Sequence, residues 1–569
     1  MRDAQPLRIA ALVLLGAGLL GLAGLAPATA RAATPLSAGV LESYVARIAR
    51  AWVSDTSPDG EVLDPLNPAD SGDDYGVIML ADVMLKTAAR SGDTTLAQTG
   101  MRIVEQAATL PDVSGPFNLL AISALLRDGQ RGRFLPSVWS QIGGITTALA
   151  DRTGPQAGPN CLTTPGCYSN WRLVWAAGAS ALLASGQQPA AVWPAEIPVD
   201  LALAVTHAGP PARPSPLTGA RELSDPGSEP PAYDLFSSAL LELAAEADPA
   251  AMTPAVEALR EQAARYALEL MAPDGQLSYA GRSLDQSWVQ AAGVDLGAHQ
   301  AALDPDRAGQ WQDFAERAFS YLMHDYPPRP DGILPIVPGL LSDWSPTIMD
   351  SYAALDQYEG LTLWFLADAL EHWPQAGVAH APLPVDATDY LMGDLHSSGL
   401  AWGRSGRVWW AVSGHTIGHD PRAAQGLVAL KLEAGGAWRD LLALRPRAGG
   451  PSTIWTLTLP GGRVATPTFT AIHGDGHHAV LSGAYRLTTG HVIGPARWVL
   501  TTTPRGLRMT MPIGHQGTVR AGIWVTGSGV RVSAPEAQTT DGTCTATASG
   551  RACPVTLTWK HAPAKLEIG

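Results

Sequence analysis

The feature that most constrains this chain is a change of hydrophobic period at Trp373-Pro374. Between residues 37 and about 373, apolar residues recur at helical spacing over 12–20 residues and are then interrupted by Gly, Pro or Asp clusters. Leu41–Trp52, Tyr75–Ala89, Thr94–Thr109, Phe117–Leu126, Val138–Ala150, Arg172–Ala184, Tyr233–Ala245, Pro254–Met271, Ser283–Gly293, Gln310–His324 and Thr347–His372 all read this way. From Leu400 the period becomes two. Arg407–Val412, Thr453–Leu459, Val464–Ile472, Ala479–Leu487, Trp498–Thr503, Leu507–Pro512, Ala521–Val525 and Val555–Trp559 read as short strands, with turns such as Pro460-Gly461-Gly462 between them. The predicted architecture is multidomain, α then β. An incomplete (α/α) toroid of about five to six helical hairpins (34–375) leads through a linker (376–393) into an antiparallel β-sandwich (394–569).

The first 33 residues are set aside. Arg2 and Arg8 precede an apolar run, Ile9 to Leu25, and small residues follow at 28–32, the pattern of a secretory signal peptide; retention as a membrane anchor is the alternative. The expected location is therefore extracellular, with no stable membrane insertion once the signal is removed. In that setting the four cysteines read as two loop staples, Cys161 with Cys167 and Cys544 with Cys553.

Net charge is −14, unevenly spread. From Ala381 onward 17 Lys and Arg face 10 Asp and Glu, a net of +7, so the preceding residues carry −21. A basic module beside an acidic one is suited to a polyanion or to its own acidic partner domain. The 18 Trp against 7 Phe suit both core packing and stacking on sugar rings.

Loops at the mouth of a toroid are the expected place for function. Asn170 and Trp171 follow the Cys161–Cys167 loop at a helix start, where Asn170 serves either as a cap or as a hydrogen-bond donor to a substrate carboxylate, with Arg172 beside them. Tyr233 closes a Pro-rich acidic loop. Tyr279, Arg282, Gln286 and Trp288 crowd around one turn, and Tyr358 begins the last long helix. These give Trp171, Arg172, Tyr233, Gln286, Trp288 and Tyr358 as substrate-binding candidates. In the β region, Ser413–Asp420 with His415, and His473–His478, are His-containing clusters without strong metal-ligand spacing. No cofactor is expected, although these clusters leave room for a structural or catalytic divalent metal.

No Gly-x-Ser-x-Gly elbow, phosphate-cradling loop or zincin motif is present, and nucleic acid is not an expected partner. Two carbohydrate chemistries remain. β-Elimination at a uronic acid needs donors that neutralise the carboxylate and a base for the proton alpha to it. Asn170, Tyr279, Arg282 and His415 supply that set. Hydrolysis needs two carboxyl groups, with Asp274, Asp285, Asp343, Asp350 and Glu359 available. A non-catalytic glycan-binding or cell-surface role is the third reading.

The domain order, together with Asn170-Trp171 and the Tyr279/Arg282 pair, resembles secreted polysaccharide lyases of the hyaluronate/chondroitin, alginate and heparinase II/III-like types. The resemblance implies a lyase acting on an acidic polysaccharide, with Asn, His, Tyr and Arg in a cleft between the domains; a monomer is expected. This chain departs from the hyaluronate-type pattern after Trp171, where Arg172-Leu173-Val174 stands in place of a second Trp and Glu-Ile-Gly. The identity of the base stays open.

Overall fold

The computed structural model describes residues 36–65, 75–110, 113, 115–153, 169–187, 193–207, 219–223, 232–281, 283–338, 354–374, 378–395, 399–414, 426–443, 453–487, 489–511, 518–527, 530–542, 544–547, 550–560 and 564–569. The signal segment lies outside them. Twelve α-helices come first among the described residues: α1 (Ala38–Ala51), α2 (Tyr75–Ser91), α3 (Thr94–Thr109), α4 (Pro116–Gln130), α5 (Pro136–Thr153), α6 (Ser169–Ala184), α7 (Trp193–His207), α8 (Ala232–Ala247), α9 (Pro254–Leu270), α10 (Ser287–Leu303), α11 (Ala308–Asp325) and α12 (Leu355–His372). None of these is long and apolar enough to cross a membrane.

The even-numbered helices touch in sequence around a ring, and each packs on the odd-numbered helix that follows it, with α12 packing on α1. This is the expected α/α toroid, built from six hairpins. The ring is also closed, not incomplete, because α12 packs directly on α2. The two rings differ in sequence for a physical reason. A helix enclosed on all sides has no solvent face to mark with polar residues. Accordingly α2 is buried without a break from Tyr75 to Ala88, and α10 from Ser287 to Gln300. The outer helix α1 instead buries one stripe, Leu41, Tyr44, Val45, Ile48 and Ala49.

The closing seam depends on two glycines. A Cβ on Gly360 would lie 2.0 Å from the Gly76 carbonyl oxygen, and one on Gly76 would lie 2.3 Å from Gln357 backbone. Gly360→Ala is therefore expected to force α2 and α12 apart and to lower stability by ~1–3 kcal/mol or more, read as the midpoint of denaturant unfolding. An unchanged midpoint would mean that the seam yields freely.

Two antiparallel sheets follow. The first is a meander of β1 (Asp389–Asp394), β2 (Leu400–Ser405), β3 (Val408–Ser413), β4 (Gly426–Ala434) and β5 (Ala437–Asp440). Its first strand begins inside the stretch 376–393 expected as a linker, so the sheet begins earlier than the sequence suggested. The second has eleven strands, β6 (Thr453–Thr458), β7 (Val464–Gly474), β8 (His478–Leu487), β9 (Val492–Thr503), β10 (Gly506–Met511), β11 (Thr518–Thr526), β12 (Val532–Ser533), β13 (Gln538–Asp541), β14 (Thr545–Thr547), β15 (Gly550–Trp559) and β16 (Ala564–Ile568). They run in the order β12-β16-β10-β9-β8-β7-β6-β11-β15-β13, with β14 on β15. The Cys544–Cys553 disulfide joins the start of this last hairpin to β15. Cys161 and Cys167 lie outside the described residues.

The smaller sheet is the middle layer. Along β3, Trp409 and Ala411 enter the toroid's apolar core, while Val408, Trp410 and Val412 enter the core shared with the larger sheet. Strands buried on both faces lose polar alternation, which is why Val408-Trp409-Trp410-Ala411-Val412 reads as a continuous apolar run. Tyr266 at the end of α9 meets Trp402, and Tyr279 meets Trp409. Lys431 on β4 is fully buried between Asp274 of the toroid, at 2.5 Å, and Asp440, at 2.7 Å. Arg317 on α11 donates to both carboxylate oxygens of Asp386. The charge asymmetry is thus spent partly on joining the domains.

Candidate active site

Alternating direction around the ring brings the N-termini of all six inner helices to one end of the toroid. The first turn of every one of them carries an aromatic residue: Tyr75, Phe117, Trp171, Tyr233, Trp288 and Tyr358. Their rings form a connected floor. Tyr75 stacks on Phe117 with centroids 4.7 Å apart, and Phe117 meets Trp171 and Phe236. Phe236 and Tyr233 then meet Trp288, which stacks on Tyr358. Trp171 is the exception in burial. It is 41% exposed, whereas most described Trp residues serve the core. Six helix N-termini also direct their positive dipole ends at this mouth, an environment that favours anions.

The polar residues around the floor are held firmly. Asn170 is buried in the first turn of α6. The Tyr233 hydroxyl lies 3.2 Å from Ser283 Oγ. Ser283 (φ 57°) and Asp285 (φ 53°) both adopt left-handed backbone without being glycine, a strain that persists only where surrounding contacts over-determine it. Those contacts come from Tyr326, whose hydroxyl lies 2.8 Å from the Asp285 carbonyl oxygen, and from Tyr321, whose hydroxyl reaches the Asp285 carboxyl. At the start of α8, Asp234 accepts the Leu223 N–H at 2.6 Å. Burial first, and neighbouring Glu222 second, push its carboxyl well above the ordinary carboxylate range. Burial does the same to Glu359, which accepts the Leu334 N–H.

Asp285 gives a measurable pH signature. Burial raises its carboxyl to about 7 against the pull of hydrogen bonds from Gln276 and Tyr326. A raised acid favours the fold while protonated, so its contribution is complete below about pH 4 and is lost as pH rises to about 7. Asp285→Asn should therefore gain stability over the native chain between pH 5 and pH 8, by up to ~4 kcal/mol. A gap in melting temperature that does not change with pH would contradict this.

Several candidates from the sequence stand elsewhere. Tyr279 is 2% exposed and set edge-on to Trp409 in the domain interface, with its hydroxyl raised well above its usual value by burial and then by Tyr390. Its ring faces the smaller sheet, packed against Trp409. Arg172 turns outward from α6 and donates from Nη1 to Asp200 Oδ1 on α7 at 3.3 Å, bracing the two rings of helices. Gln286 accepts the Trp288 indole N–H and so orients that ring. Asp274 is taken up by Lys431. Arg282, His415, Asp343 and Asp350 lie outside the described residues. In the second His cluster, Asp475 Oδ1 accepts the backbone N–H groups of His477 and His478, which makes the segment a braced hairpin turn. Tyr75, Phe117, Phe236 and the Asp234/Glu222 pair were not singled out from sequence. The signal that would have found Tyr75 and Phe117 is the aromatic in the first turn after every second loop.

No protein-family model matches this chain, and no curated relative does. Solved structures resemble it in fold. The chondroitin AC lyase of Streptomyces coelicolor A3, in complex with chondroitin sulphate, is 12% identical, covering 94% of this chain and 80% of that one with a TM-score of 0.48. A glycosyl hydrolase family 88 protein from Bacteroides vulgatus is 12% identical over 59% of this chain and 100% of its own, with a TM-score of 0.40. A sugar epimerase from a ruminal bacterium is 10% identical over 58% and 98%, with a TM-score of 0.38.

Proposed function

We propose that this chain is an exported enzyme that cleaves a uronic-acid-containing polysaccharide by β-elimination, with the polymer lying across the toroid mouth. The observation that carries the reading is the convergence of six inner-helix N-termini on a connected aromatic floor with Trp171 at its open edge. Aromatic faces suit the apolar faces of sugar rings, and helix N-termini suit carboxylates.

The proposed chemistry needs three tasks. The uronate carboxylate must be neutralised so that the adjacent proton becomes acidic, and Asn170 with Arg282 serves this by stabilising the charge that develops. A base removes that proton, and the carbon–oxygen bond one position further breaks. The departing oxygen then takes a proton. Tyr233 replaces Tyr279 in this scheme, since its hydroxyl sits in the first turn of an inner helix beside Trp288 and Ser283. His415 from the β region completes the set.

One observation favours glycoside hydrolysis as a second reading. Burial first, and Glu222 second, hold the Asp234 carboxyl well above the ordinary carboxylate range, the direction in which a general acid is shifted. Incubation with a panel of acidic and neutral polysaccharides separates the two. Elimination yields an ultraviolet-absorbing unsaturated uronate at each new chain end. New reducing ends without that absorbance would overturn elimination in favour of hydrolysis, and binding without either product would overturn both.

A further inference from the structure

The opposite end of the toroid carries a different chemistry. Three consecutive inner helices, α8, α10 and α12, bring Glu246, His299, Asp368 and His372 together, with one ligand atom from each lying within 4.8 Å of every other. The His299 and His372 rings stack with centroids 3.7 Å apart. His299 Nε2 lies 3.0 Å from Asp368 Oδ2, and His372 Nε2 lies 3.9 Å from Glu246 Oε2 and 4.0 Å from Asp368 Oδ2. The spacing repeats: Asp295 with His299 and Asp368 with His372 are both four residues apart, which puts each pair on one helix face.

We infer that Glu246, His299, Asp368 and His372 form a binding site for a first-row divalent cation of the zinc type, which ties three inner helices together at the end of the toroid away from the mouth. Two imidazole nitrogens and two carboxylate oxygens are a ligand set such ions accept, at about 2.0–2.2 Å in tetrahedral geometry. The outer oxygens are already fixed. Arg131 donates to Glu246 Oε1 at 2.7 Å and Arg127 to Asp368 Oδ1 at 3.3 Å, leaving Glu246 Oε2 and Asp368 Oδ2 turned toward the imidazoles. Orienting partners of this kind commonly accompany metal-ligating carboxylates. Arg127 Nη1 also stands 3.6 Å from Glu246 Oε2 and would cede that oxygen to the ion.

A second observation concerns a residue outside the four ligands. Asp295 is wholly buried, and neither of its carboxylate oxygens has a hydrogen-bond partner among the described residues, although Oδ1 lies only 3.6 Å from His299 Nε2. A buried carboxylate without hydrogen bonds is costly unless a cation is close. The site is reachable, since the Glu246 and His372 side chains are 24% and 22% exposed.

The test uses the full chain, stripped with a chelator, loaded with zinc and passed through gel filtration. About one retained zinc per chain and a higher melting temperature after loading are expected. His372→Gln, at the accessible edge, should weaken retention at least ~10-fold and abolish the thermal shift, and Glu246→Gln should do the same. A native chain that retains no zinc and melts identically with and without it would overturn the site, leaving an ion-pair network. Equal retention by the native chain and both variants would also overturn it, by placing the zinc elsewhere.

Discussion

Replacing Asn170 by alanine is expected to lower turnover of a uronate polymer ~100–1,000-fold, the usual cost of removing one preorganised donor to developing negative charge. The loss should fall on kcat, because that charge is greater in the transition state than in the bound ground state. Asn170 is buried in the first turn of α6, beside the exposed Trp171, so the variant needs a fold control. An unchanged melting temperature with the activity loss supports the role; an unchanged kcat removes Asn170 from the mechanism. Asn170→Ser, which keeps a short polar side chain but not the amide, separates the amide's role from that of a buried polar group. A native melting temperature without native turnover is the expected outcome.

The second large effect concerns the join between the domains. Lys431→Met should destabilise the chain by ~3–5 kcal/mol. Lys431 is fully buried, 2.5 Å from Asp274 and 2.7 Å from Asp440, with its ammonium 5.8 Å from the centre of the Tyr321 ring. Burial already raises the Asp440 carboxyl to about 6 even with Lys431 beside it. Without the ammonium, two carboxylates face one another in a closed interface. Unfolding should then separate into two transitions as helices and sheets melt apart, measured by denaturant titration with circular dichroism. Combining Lys431→Met with Asp274→Asn and Asp440→Asn should recover most of the loss, since it removes the uncompensated charges. Equal destabilisation in the single and triple variants would place the effect in packing.

The period change at Trp373-Pro374 was enough to read the order of domains, because helices and strands impose different spacings on apolar residues. The join was misjudged by a few residues, since β1 is a short strand whose companions lie downstream. Which helices are inner was not readable without the ring, although the unbroken burial of α2 and α10 explains their even apolar composition in retrospect. Side-chain direction was the least legible. Tyr279 in a glycine-rich turn looks the same whether it faces a cleft or a sheet, and what decides is Trp409, a residue far along the chain. Arg172 faces Asp200 for a similar reason, because α7 covers the outer side of α6. The mouth aromatics were found where a loop with reactive residues preceded them, as at Trp171, Tyr233 and Trp288. Tyr75 and Phe117 were missed, although Pro68–Asp74 before Tyr75 carries the same Pro, Gly and acidic residues as the loop before Tyr233.

Binding of an acidic uronate oligosaccharide to the native chain and to Trp171→Ala, by isothermal titration calorimetry, tests the account most directly. Trp171 is exposed at the mouth and touches Phe117 by its edge, so its loss removes a stacking face without opening the core. The account predicts measurable binding by the native chain, weakened by ~10-fold in the variant, the equivalent of about 1.4 kcal/mol of lost ring contact. Equal affinity in the two proteins, or no binding of the oligosaccharide by the native chain, would contradict it.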